Sequence, residues 1–398
     1  MRITDLRCAL IGDSPVVRIL TDAGIDGYSQ VETWKPFLVP NILGLRELLV
    51  GCDPTDVERC MTRIRHRGGF KPWGAAVSSV EIALWDIAGK ASGLPVHKLM
   101  GGKVRDRIRV YNGARREPME GWTPEHYAKN TRAMLEADEG FTIVKQPIGF
   151  HSDMCRDVED FFYGDPLPDW QQGLHDRGLL TPPAMDLMID CVAAMRDVLG
   201  SSVGLALDCG PGWSLPDAIR FADAVAPYQP IWLEDLLTGD YSPHDATEQY
   251  RDLTLATKTP IHTGEQIYLR QNFRRMIETR AVNVIGPDPG DIGGLSELKW
   301  VAELADLHGV LIAPHGTANG VLGLGALIQV SATLPRNFIA FEYPVATQPW
   351  WYDIVEGLPE RIVVDGHVPV LDRPGIGIDL IPQAAKAYLR PTDSGFFD

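Results

Sequence analysis

The chain of 398 residues is 45% hydrophobic, which allows one large buried core with a smaller unit beside it. Its 53 acidic and 37 basic side chains give a net charge of −16, a field that repels phosphate backbones and anionic lipid and so argues against nucleic-acid and membrane partners. The six cysteines (Cys8, Cys52, Cys60, Cys155, Cys191 and Cys209) show neither a C-x-x-C pair nor the spacing of a disulfide framework. The first twenty residues, MRITDLRCALIGDSPVVRIL, are broken by Asp5, Arg7 and Asp13, so a reduced cytoplasmic protein without signal peptide or membrane span is expected.

Strand-like runs come first, Val16 to Leu20 and Gly27 to Val31, joined by the turn-forming Asp22-Ala23-Gly24. Ser78 to Lys90 follows with Val80, Ile82, Ala83, Leu84, Ile87 and Ala88 at helical spacing, closed by Gly93 and Pro95. Strands followed by helices predict a small α+β unit. From about Arg109 the pattern alternates. The apolar runs VGLALD (203–208), PIWLE (230–234), PIHTGE (260–265), VNVIGPD (282–288), GVLIAPH (309–315) and NFIAFE (337–342) are separated by helix-length stretches, such as Leu295 to His308 with its apolar stripe. That alternation predicts a parallel sheet.

The runs end on Asp208, Glu234, Glu265, Asp288, His315 and Glu342, and an earlier run, Thr142 to Lys145, ends on a lysine. One charged end is an ordinary strand exit, but a succession of them fits a (β/α)8 barrel, where every strand's C-terminal end faces one mouth. Asp208, Glu234 and Glu265 would repel one another there without a cation. Carboxylate ligands suit Mg2+, and also Mn2+, better than Zn2+. On the following pair of strands, Asp288 could hold the His315 imidazole in one tautomer and make it a general base. A base facing carboxylate-held metal suggests removal of a proton next to a substrate carboxylate. A mismatch of about ten pKa units is worth roughly 14 kcal/mol, so the enediolate must be stabilised strongly. Lys145 can offer positive charge to it, and Glu342, if protonated, can donate a hydrogen bond. For His315 the competing reading is a structural histidine in a loop, and for Glu342 an exposed strand terminus.

VEIALWDIAGK (80–90) and GLPVHKLMGG (93–102), then LALDCG, WLED, TGEQ, PDPGDIGG and APHG in that order, resemble the mandelate racemase and muconate lactonising branch of the enolase superfamily over nearly the full length. Lys or His bases working with Mg2+ are the known pattern of such sites. The resemblance implies a TIM barrel over residues 113–345, capped by an α+β domain made from 1–112 and the tail 346–398. It also implies Mg2+ on Asp208, Glu234 and Glu265, and a His315–Asp288 base dyad. Family racemases carry two lysines flanking one residue on the second strand, whereas this chain reads Val144-Lys145-Gln146-Pro147.

Proline supplies no proton acceptor for a second face of the substrate carbon. One base that takes the α-proton and then protonates a departing β-hydroxyl is enough for dehydration, so the pattern is similar to acid-sugar dehydratases, most of all the rhamnonate type in KQPIGFHSD and APHG. The alternatives are an epimerase or cycloisomerase with Lys145 as second base, and a non-catalytic sugar-acid-binding protein. The long segment between Phe150 and Pro183, rich in Asp, Gly and Pro, reads as a lid. His151, Trp170 and Arg177 within it could touch a polyol chain, and Arg115 or Arg116 a distal polar group; ordinary surface contacts are the competing reading for each. A small-molecule sugar-acid partner and a homo-oligomer are expected, and the aromatic segment Gln348 to Tyr352 would form either a subunit contact or part of the cap.

Overall fold

The structure is a computed structural model that describes residues 1–33, 35–66, 74–113, 118–163, 179–237, 246–316, 320–344 and 350–398. The N-terminal unit is an antiparallel sheet of β1 (Ile3–Ile11), β2 (Ser14–Thr21) and β3 (Gly27–Gln30), in that order, packed on the long helix α1 (Gly74–Ser92). Strand β1 escaped the sequence reading because Asp5 and Arg7 interrupt its apolar alternation. Both have local reasons to be there. They pair with each other at 3.0 Å, and Arg7 donates to the backbone oxygens of Gly395 and Asp398 at 2.9 and 2.7 Å, which fastens the C-terminal tail to this sheet. Helix α1 buries polar residues as well as apolar ones. Its Asp86 carboxylate accepts the amides of Tyr28 and Ile376, both at 3.0 Å, and so joins sheet, helix and tail.

The barrel strands are β4 (Arg107–Gly113), β5 (Ile143–Pro147), β6 (Gly204–Asp208), β7 (Trp232–Glu234), β8 (Ile261–Thr263), β9 (Val284–Ile285), β10 (Leu311–Ile312) and β11 (Phe341–Pro344). Strands β5 to β10 form one parallel sheet in chain order, and β11 lies parallel to β4. Two contacts complete the ring. A parallel bridge joins Ile312 to Phe338, and the Asn112 side chain exchanges hydrogen bonds of 2.8 Å with both backbone groups of Lys145. The first barrel strand begins ahead of residue 113, the expected boundary, and a short tail strand, β12 (His367–Pro369), pairs antiparallel with it.

Helix α2 (Leu295–His308) has the predicted bounds and stops at Gly309, whose φ of +69° is the left-handed conformation that glycine adopts without strain. The strands are shorter than the apolar runs that announced them. Glu265, Asp288 and His315 therefore lie on the loops just past their strands, whereas Glu342 lies inside β11 and not at its end.

The insertion after β5 is closed at its base by pairing of Phe162–Tyr163 with Leu179–Leu180; its middle, where the lid reading falls, lies outside the described residues. Of the aromatic tail segment, Trp350 stacks on Tyr388 with ring centroids 4.8 Å apart and Trp351 is buried, so these side chains pack within their own chain. All six cysteines are free, and no helix among the described residues is long and apolar enough to cross a membrane.

Candidate active site

An apolar layer of Tyr111, Ile143, Ala206, Trp232, Val284, Ala313 and Ala340 fills the barrel interior. Side chains two residues apart on a strand share a face, so the next layer toward the mouth comes from Lys145, Asp208, Glu234, His315 and Glu342, each two residues beyond a member of the apolar layer. The alternation that packs the barrel thus also aims the chemistry.

Lys145 is the centre of the charged layer. Its Nζ lies 3.0 Å from Asp208 Oδ2, 3.0 Å from Glu234 Oε1 and 2.9 Å from Glu342 Oε1, above the Tyr111 ring. Burial works against the ammonium, but the three carboxylates outweigh it and hold Lys145 well above the ordinary lysine range. Glu234 shows the reverse balance: burial favours its neutral form, yet Lys145 and the Trp232 Nε1–H, 2.9 Å away, keep it ionised.

Single carboxylate oxygens of Glu234, Asp235 and Glu265 lie within 4.8 Å of one another. An all-oxygen donor set of this spacing fits a hard divalent cation such as Mg2+. Asp208 stands beside this group, its Oδ2 on Lys145 and its Oδ1 3.1 Å from His151 Nδ1. Asp235 is the neighbour of Glu234 that the search for strand-end acids passed over. It adopts φ +53° and accepts the Thr263 hydroxyl at 2.7 Å. Strand counting has no signal for it, because the left-handed turn brings in a residue beyond the strand.

His315 Nδ1 meets Asp288 Oδ2 at 2.6 Å, and Nε2 points toward Glu265 and Glu342 at 3.4 and 3.5 Å. Asp288 is itself held by the Gly290 amide at 2.5 Å. The carboxylate therefore accepts the Nδ1–H hydrogen bond and leaves Nε2 facing the mouth, the orientation a general base needs. Burial opposes a charged imidazole, but the Glu265 and Glu342 carboxylates and the bond to Asp288 raise His315 well above the ordinary histidine range. Burial also raises Glu342, with Lys145 and His315 offsetting part of the effect, and its Oε2 is buried without a hydrogen-bond partner among the described residues.

The structure thus brings Lys145, Asp208, Glu234, Glu265, Asp288, His315 and Glu342 into one cluster. His151 reaches it through Gly210, where a Cβ would come within 2.6 Å of the His151 amide nitrogen. Arg115, Arg116, Trp170 and Arg177 lie outside the described residues. Sequence reasoning missed Asp235 and also Glu32, a residue of the cap whose carboxylate comes within 4.8 Å of Asp288 and His315.

Comparison with known proteins agrees with this architecture. Residues 126–384 match the family model for enolase C-terminal domain-like proteins, and residues 13–101 match the mandelate racemase/muconate lactonizing enzyme N-terminal domain. A D-xylonate dehydratase from Haloferax volcanii is 29% identical over 395 residues, spanning 97% of this chain and 89% of that protein. A D-galactonate dehydratase from Variovorax paradoxus is 27% identical over 376 residues, spanning 92% and 88%. The crystal structure of a mandelate racemase/muconate lactonizing enzyme-like protein from Rubrobacter xylanophilus superposes with a TM-score of 0.82 at 30% identity, covering 98% of this chain and 97% of that one. With both domains matched and the capped barrel in place, the chain belongs to the mandelate racemase/muconate lactonizing enzyme branch of the enolase superfamily.

Proposed function

We propose that the chain is a Mg2+-dependent sugar-acid dehydratase that removes the proton α to a carboxylate, expels the β-hydroxyl and yields a 2-keto-3-deoxy acid. The observation that carries this reading is the His315–Asp288 dyad, with Nε2 turned toward the carboxylate cluster. The dehydratase names of two full-length relatives support the reaction class.

Glu234, Asp235 and Glu265, with Asp208 beside them, would hold the cation. When bound, it supplies positive charge that stabilises the enediolate and offsets the carboxylate field on His315. The side chains do the rest. His315 Nε2 takes the α-proton, and the electron pair spreads onto the substrate carboxylate. Lys145 remains an ammonium beside those oxygens, and Glu342, raised by burial, can donate a hydrogen bond to them. His315 then returns the proton to the β-hydroxyl as its C–O bond breaks. Water leaves, and the remaining enol tautomerises to the 2-keto acid, so one base serves both steps.

Lys145 is held as a cation by three carboxylates, and Pro147 ends β5 opposite Asp208, so neither side chain suits a base on the second face. The test is a panel of aldonic and aldaric acids incubated with the Mg2+-loaded protein and assayed for 2-keto acid. Product from one or more aldonates is expected. A change in optical rotation without keto acid would replace this reading with the epimerase, and binding without turnover would replace it with a sugar-acid-binding protein.

A further inference from the structure

Beyond β3 the cap enters the barrel mouth through Glu32 and Lys35. Glu32 is 6% exposed although it lies in a loop, and its carboxylate is ion-paired to Lys35. Lys35 in turn donates to both oxygens of Asp291, at 2.7 and 2.9 Å. The amides of Asp291 and Ile292 donate to the Asp288 carbonyl at 3.0 and 2.8 Å. One ionic chain therefore ties the cap loop to the turn that carries the base's own carboxylate. At its end, a Glu32 oxygen lies within 4.8 Å of a His315 ring nitrogen and an Asp288 oxygen. Two hydrogen bonds of about 2.8 Å meeting at one shared oxygen reach across a separation of that order, so a single hydroxyl can bond to the cap carboxylate and the imidazole together.

We infer that Glu32 is the residue that holds the departing β-hydroxyl of the substrate against His315. This rests on the dehydratase reading above. The β-carbon is one bond from the carbon that His315 deprotonates, so its hydroxyl falls within reach of the imidazole on the cap side, while the carboxylate end points at Lys145. Glu32 accepts the hydroxyl proton's hydrogen bond and leaves an oxygen lone pair facing His315. When the imidazolium gives up its proton the C–O bond breaks and water departs. Lys35 acts as a positioning residue, because it pins Glu32 to the barrel. The carboxylate also repels a second anionic group at this point of the mouth, which favours a hydroxyl there over a carboxylate.

A residue that orients only the leaving group affects elimination without being needed for proton abstraction. In D2O with Mg2+ and D-xylonate or D-galactonate, NMR reports both 2-keto acid formed and deuterium at the α-carbon of recovered substrate. Glu32→Ala is expected to lower dehydration by about 10²-fold while exchange persists, so that the exchange-to-elimination ratio rises by a similar factor. Glu32→Gln, which keeps an acceptor oxygen, should recover part of the loss, and Lys35→Met should move the ratio in the same direction. If exchange and elimination fall together in Glu32→Ala with the fold intact by circular dichroism, Glu32 does not hold the leaving group. If wild type shows no elimination from any aldonate in the panel, the dehydratase reading fails and this inference with it.

Discussion

Lys145 and His315 share the mouth, and their surroundings suit them to different work. Lys145 touches three carboxylates, whereas His315 gives one nitrogen to Asp288 and turns the other outward. His315→Asn should therefore abolish both α-proton exchange and dehydration, a loss of roughly 10²–10⁴-fold. Lys145→Ala should reduce turnover differently, by weakening substrate binding or enediolate stabilisation while leaving exchange detectable. Exchange that survives in His315→Asn and vanishes in Lys145→Ala would make Lys145 the base and restore the epimerase reading. At this scale the sequence was most legible where strand and chemistry coincide, since buried parallel strands read as apolar runs with a charged end. Asp235 and Glu32 were not legible because neither is the charged end of an apolar barrel run. One is brought in by a left-handed turn, the other by contact with residues more than two hundred positions away.

The elements are held in place by buried polar contacts as much as by apolar ones, and the joint between α1 and α2 is the clearest case. Glu81 on α1 accepts the Leu295 and Ser296 amides at the start of α2, at 2.8 and 3.1 Å, together with the Ser296 hydroxyl and the Trp85 indole N–H, both at 2.8 Å. Gly294, with φ +105°, makes room for it, because a Cβ there would collide with the carboxylate. Burial nevertheless pushes Glu81 from 4.5 up to about 7, the hydrogen bonds offsetting only part of the cost. Between those values the native state keeps a proton that the unfolded chain has released. Stability should therefore fall as pH rises from 4.5 to about 7, by about 3 kcal/mol in all, and level off above. Glu81→Gln should flatten that slope, measured by urea unfolding across the window, at the cost of the Leu295 bond, about 1–3 kcal/mol. Parallel slopes in the two proteins would assign the pH dependence elsewhere. The helical stripe that predicted α2 gave no hint of this joint, since periodicity reports which face is buried and not which polar groups meet there.

For the molecule as a whole, the carboxylate cluster is a liability to folding that a cation would relieve. Asp208, Glu234, Asp235, Glu265 and Glu342 are all buried beside the Lys145 ammonium and the imidazoles of His151, His262 and His315, and their mutual repulsion exists only once the barrel has closed. A divalent ion that binds the native state and not the unfolded chain stabilises it by mass action, about 2.7 kcal/mol at a hundred times its Kd. Mg2+ added to chelator-treated protein should therefore raise the melting temperature in a saturable way, with Mn2+ doing the same. Glu234→Gln should weaken that response and the activity together. The unliganded variant need not be less stable than wild type, because removing one charge from a crowded set lessens repulsion even as Lys145 loses a partner. A melting temperature indifferent to Mg2+ and Mn2+, combined with full activity after chelation, would remove the cation from the reaction. Proton abstraction would then depend on Lys145 and Glu342 alone to stabilise the enediolate, and the value of roughly 14 kcal/mol for a ten-unit pKa mismatch sets how much they would have to supply.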